Sequence, residues 1–130
     1  MALGGTNYKL RSSTSLDPWA SNEFTAAADY TAGEMTKIED TVGVIINATS
    51  SGDTAVLNYQ AAKIVVACVA VTSGNLADLA AFSKVYFDAT NKEVTNESAG
   101  NTLCGIVLVA PSVGDETIEI HLMGALGIVA

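Results

Sequence analysis

The chain has 130 residues, of which 49% are hydrophobic but only 6% aromatic, and its formal net charge is −8. That length holds one core of ordinary size and excludes two, while 20 alanines make the core thin, so association with other chains is expected to supply part of the burial. Beyond residue 16 only Lys37, Lys63, Lys84 and Lys92 stand against 14 acids, a net of −10, which excludes the clustered cations that a nucleic-acid partner requires.

Residues 1–33 read as an extended N-terminal arm. They carry Gly4-Gly5, a Ser/Thr cluster at 12–15 and Asp17-Pro18, and the apolar anchors Leu10, Leu16, Trp19 and Phe24 follow neither a period of 2 nor of 3.6. Lys9 and Arg11 make the first 16 residues basic, with no acid among them. There is no apolar core segment of a secretory signal in the first 15 residues. The longest uncharged apolar run, Ile64 to Val71, falls far short of the ~20 residues of a membrane span, so a soluble chain without a membrane partner is expected.

After Gly33 short β-rich runs alternate with turn residues, so 34–130 is expected to be the β-body. Val42, Val44 and Ile46 alternate with Gly43, Ile45 and Asn47, and "SSGD" at 50–53 marks a turn before Val56, Leu57 and Tyr59. "KIVVACVAV" (63–71) is apolar on both faces, as in a central strand covered on both sides. "SGNLADLAAF" (73–82) alone has helical character, with Ser73 as cap and one or two turns. Strands at 84–88 and 92–95 form a hairpin about the polar turn at Asn91 and Lys92, "LCGIVLVA" (103–110) is a buried strand, and Gly105 within it marks a bulge or the close approach of another backbone. In "TIEIHLM" Ile118, Ile120 and Leu122 point inward and Glu119 and His121 outward.

Chemistry is sparse. His121 is the one histidine, placed on a polar strand face without a Cys partner for a zinc set. The acid pairs Glu39-Asp40 and Asp115-Glu116 sit at strand ends, where solvated turn carboxylates are the ordinary case. Neither a phosphate-binding loop nor a strand-linked G-x-G-x-x-G occurs. Cys68 and Cys104 lie in apolar runs and read as buried free thiols of a reducing compartment. No catalytic, cofactor or metal site is therefore expected, and no enzyme.

Three segments carry a resemblance: "DTVGVIINATSSGD" (40–53), "KVYFDATNKEVT" (84–95) and "NTLCGIVLVAPSVGDETIEIHL" (101–122). In their order and spacing, residues 33–123 resemble the small phage head-decoration (cement) family, often mislabelled as a phage RecA/RadA-type recombinase. The resemblance implies an all-β fold, a compact antiparallel β-barrel or sandwich (β-tulip-like) of roughly seven or eight strands with at most one short helix. It also implies a virion protein on the outer surface of an icosahedral capsid, a homotrimer at threefold or quasi-threefold positions with the major capsid protein as partner, clamping adjacent capsid subunits. Lys9, Leu10, Arg11, Leu16, Trp19 and Phe24 are then the arm residues expected to contact capsid or neighbour. The rival classes are a small trimeric β-barrel enzyme acting on nucleotides, which needs a phosphate loop and convergent carboxylates, and a carbohydrate- or peptide-binding module. The module needs an aromatic platform, for which Tyr8, Trp19, Phe24 and Tyr30 are the only cluster.

Overall fold

Residues 19–124 are described by a computed structural model. Eight strands follow in order: β1 (Trp19–Thr25), β2 (Met35–Ile38), β3 (Thr41–Ile45), β4 (Thr54–Ala67), β5 (Lys84–Asp88), β6 (Glu93–Thr95), β7 (Thr102–Val109) and β8 (Thr117–Met123). Their ladders are antiparallel and form one sheet in the order β2-β3-β4-β8-β7-β5-β6, with β1 on β4. The sheet curls into a nearly closed barrel. Closure occurs just past β4, where Cys68 bridges Val94 of β6 in parallel and the Val69 N–H donates to the Val94 carbonyl at 2.9 Å.

The all-β expectation holds, and β8 shows why. Its alternating residues put Ile118, Ile120 and Leu122 in the core at 2%, 0% and 0% exposure, and leave Glu119 and His121 half-buried on the outer face. Phe87, Val85, Val94, Cys104 and Val107 pack with them. Burial on this scale contributes about 1.5–3 kcal/mol per large aliphatic or aromatic side chain. The expected close approach at Gly105 is also present: a Cβ there would lie 2.1 Å from the His121 carbonyl oxygen. The β5·β7 register slips beside it, Val85 facing Gly105 while Tyr86 faces Leu103, so Cys104 is the extra residue of a bulge.

Long β4 serves two sets of partners. Gln60 and Ala61 pair with β1 and with β8 at once, so those two strands lie on opposite edges of β4. Between Ala20 and Ser21 the β1 register slips, leaving Tyr59 of β4 as an extra residue. Asn58, 1% exposed, steadies this bulge by accepting a hydrogen bond from the Gln60 N–H at its Oδ1, 3.3 Å away. Such a buried amide is tolerated because it is bonded.

Two local expectations are corrected. The helical stretch is a single 3₁₀ turn, Leu76–Asp78, capped by Asn75 and not by Ser73. Asn75 Oδ1 accepts from the Thr72 N–H at 2.9 Å and from the Leu76 N–H, and Leu79 is already extended, which stops propagation. In β3 alternation fails: Val42 through Ile45 are all buried, and Ile46, expected inward, is 52% exposed. The strand is covered on both faces because Val42 and Val44 join the main core while a Cβ on Gly43 would press on Leu57 of β4 at 2.6 Å.

Candidate functional site

Of the arm residues singled out in the sequence, Lys9, Leu10, Arg11 and Leu16 lie outside the described residues. Trp19 opens β1 opposite Ala61, and Phe24 stands near its end opposite Ala55. Within residues 19–33, β1 is paired with the body along its whole length, bends and a turn follow it, and Tyr30 bridges Thr49. Phe24 is half-buried and meets Tyr30 edge to face, with ring centroids 6.0 Å apart. The aromatic pair is thus packed partly on itself.

The groups with chemical potential are dispersed. His121 Nδ1 lies 3.2 Å from the Ala62 carbonyl, on the outer face of β8. Glu39 and Asp40 form the two-residue turn between β2 and β3, and Glu39 holds φ at 53°, a conformation that favours glycine. Asp115 Oδ2 accepts from the Ser112 N–H at 2.9 Å, closing the turn before β8. Among the described residues no three His, Cys, Asp or Glu side chains converge on one point.

Both cysteines are buried and free. Burial pushes the Cys104 thiol up to about 12, and burial with the charges of Glu93, Asp115 and Glu116 pushes Cys68 up to about 11. Reactive cysteines have lowered values, so these two are packing residues.

What the body offers is surface. Val65, Glu119 and Val109 form one cross-strand row over β4, β8 and β7, and the two valines are 63% and 60% exposed. They border a shallow hollow of about 300 Å³ with Pro111, Asp115 and Ile118. A second cleft, of about 260 Å³, opens between β1, β4 and the β2–β3 turn, over Phe24, Ile38, Leu57 and Tyr59. Sequence reading missed both. The only signal for the first was that "KIVVACVAV" is apolar on both faces; the second joins residues up to 37 positions apart, Asn22 to Tyr59, that no motif connects.

The sequence profile of a family described as phage cement protein matches residues 17–122, from just ahead of β1 into β8. No curated protein and no solved structure gives a significant match. The match takes in seven complete strands and most of the eighth, a longer span than the three segments that first carried the likeness. The chain belongs to the phage cement protein family, structural proteins of the phage capsid.

Proposed function

We propose that this protein decorates the outer surface of an icosahedral phage head and stabilises the shell by clamping adjacent major capsid subunits, as a homotrimer at threefold or quasi-threefold positions. The family match carries the reading. A barrel held by backbone pairing and side-chain burial, with apolar groups left on its outside at Val65, Val109 and Val113, supports a role in holding neighbours together rather than in turning over a substrate. In this reading the chain ahead of β1 reaches the capsid. Lys9 and Arg11 supply a salt-sensitive attraction, and Leu10 and Leu16 enter apolar grooves, each contributing about 1.5–3 kcal/mol before the cost of ordering the segment. Trp19 and Phe24 continue that contact from β1. Copies around one axis turn weak contacts into a persistent clamp.

The test is co-sedimentation with undecorated capsids. A deletion through residue 28 would remove β1 and its ladder to β4, so the informative truncation removes residues 1–18. The full chain is expected to sediment with capsids, and the truncated chain to stay folded by circular dichroism but remain in the supernatant. Full occupancy by the truncated chain would move the clamp to the barrel. Failure of the full chain to bind any capsid surface would overturn the reading.

A further inference from the structure

Five large hydrophobic side chains among the described residues are more than half exposed, and four of them gather at one end of the barrel. Val65 lies near the end of β4, Phe82 just ahead of β5, Val109 closes β7 and Val113 stands in the turn before β8. The ladders set these strand ends together, with Ala67 opposite Thr117, Val109 opposite Glu119 and Lys84 opposite Ile106. The fifth, Ile46, donates its N–H to the carbonyl of Val56 near the start of β4, at the other end.

Phe82 is the outlier of the group. Its N–H donates to the Val107 carbonyl at 2.7 Å while the Val107 N–H donates to the Ser83 carbonyl at 2.9 Å, so Phe82 and Ser83 together face one residue. The first position of such a bulge ordinarily holds glycine. Phe82 takes it with φ at 74° and leaves its side chain 73% exposed. A bulky residue in the left-handed region is strained, and burial within the barrel does not offset that strain here. A strained ring left in solvent points to a contact made in the assembly.

The surrounding charges select the partner. Asp78, Asp115, Glu116 and Glu119 share this end with Lys84, and the one ion pair among the described residues is Lys92 with Glu34, so none of these four acids has a cation within 4 Å there. The hollow bordered by Val65 and Val109 has Asp115 and Glu119 in its lining. A second copy meeting this end through the same face would set acids against acids, and its residues beyond 16 carry −10 in all. We propose that this end of the barrel docks on the capsid shell, with Phe82 as the anchor in an apolar recess and with lysine or arginine side chains around that recess meeting the four acids. The inference rests on the decoration reading and adds which face of the barrel, and which residue, makes the contact.

The test compares the wild type, Phe82→Asn and Glu119→Lys, each as the full chain, by titration against undecorated capsids in co-sedimentation and by thermal melts. Asparagine tolerates the left-handed region, and little burial is lost with so exposed a ring, so Phe82→Asn should melt within about 3 °C of the wild type or above it. Both variants should bind capsids about tenfold more weakly or worse. Phe82→Asn that melts 8 °C or more below the wild type, by the same conversion, would make the ring part of the fold and overturn the proposal. Wild type that sediments with capsids while Phe82→Asn does so with equal affinity would overturn this inference alone; wild type that binds no capsid would overturn the decoration reading and this inference with it. A second readout places single cysteines at either end, Val113→Cys and Ile46→Cys, the native thiols being buried. On capsids Val113→Cys should be protected from a maleimide reagent and Ile46→Cys should stay reactive. Val113→Cys that labels as fast on capsids as in solution would overturn the assigned face.

Discussion

Replacing Gly105 by alanine tests how tightly β7 and β8 are joined. Gly105 lies between Val85 of β5 and Leu122 of β8, and its φ is not in the left-handed region, so alanine introduces no backbone strain of its own. The cost is contact. The new Cβ would sit 2.1 Å from the His121 carbonyl oxygen and 3.2 Å from its carbon, both backbone atoms that cannot swing aside. Restoring ordinary contact requires the strands to part by about 1 Å, which adds roughly 1–3 kcal/mol of overpacking to about 1 kcal/mol for a weakened ladder bond. At roughly 4 °C per kcal/mol for a domain of this size, the melting temperature should fall by about 8–15 °C. Gly114→Ala is the internal comparison. Its φ is 99° but nothing lies within 4 Å, so only conformational strain of about 1 kcal/mol applies, a shift of a few degrees. Thermal melts followed by circular dichroism read both. A Gly105→Ala protein melting within about 2 °C of the wild type, or less perturbed than Gly114→Ala, would refute the inferred close approach.

Cys68 and Cys104 should react with a thiol reagent at pH 8 only as fast as the protein unfolds, measured by comparing labelling with and without denaturant; a rapid burst would show an exposed thiol. Their raised values carry a sign: in the unfolded chain both thiols ionise near 8.5 whereas in the fold they stay protonated to about 11 and about 12, so stability is full below pH 8.5 and declines as pH rises through that window, an effect that Cys104→Ser should reduce in denaturant titrations. Asp88→Ala should loosen the β5–β6 hairpin. The Asp88 carboxylate accepts from Asn91 Nδ2 at 2.9 Å and from the N–H groups of Asn91 and Thr90, which holds its value below the usual range. The contribution is present at neutral pH and lost as pH falls through that lowered value, so the wild type and Asp88→Ala should converge in acid; a difference that persists unchanged at pH 2 would deny the carboxylate its role.

Much of the barrel was legible from local pattern. β8 alternates because one face is dry and the other wet, and its burial follows the sequence residue by residue. The β5–β6 hairpin was readable because Asp88 and Asn91 build the turn from their own side chains. The absence of a nucleotide loop was also legible, since that chemistry depends on contiguous residues.

Other features depend on what lies across the sheet. Asn75 replaced Ser73 as the cap because its side chain also reaches the Ala70 carbonyl and the Thr72 N–H, a choice made by the fold of the preceding loop. Phe24 read as an anchor without a home, since its strand has no period, and only the ladder to β4 sets it beside Ala55 and near Tyr30. β3 lost its alternation for a similar reason, with burial on both faces imposed by neighbours far along the chain. The cleft over Phe24, Ile38, Leu57 and Tyr59 is wholly a tertiary product. Periodicity reports which face of a segment is dry, but it carries no record of which other segment dries it. What the sequence by itself determined was a small acidic β-rich chain with a basic first 16 residues and, where a strand alternates as β8 does, its inward face. The register, the bulges at Tyr59 and Cys104 and the outward hollows came from strands meeting at long separation, where backbone pairing and close packing decide what local residues cannot.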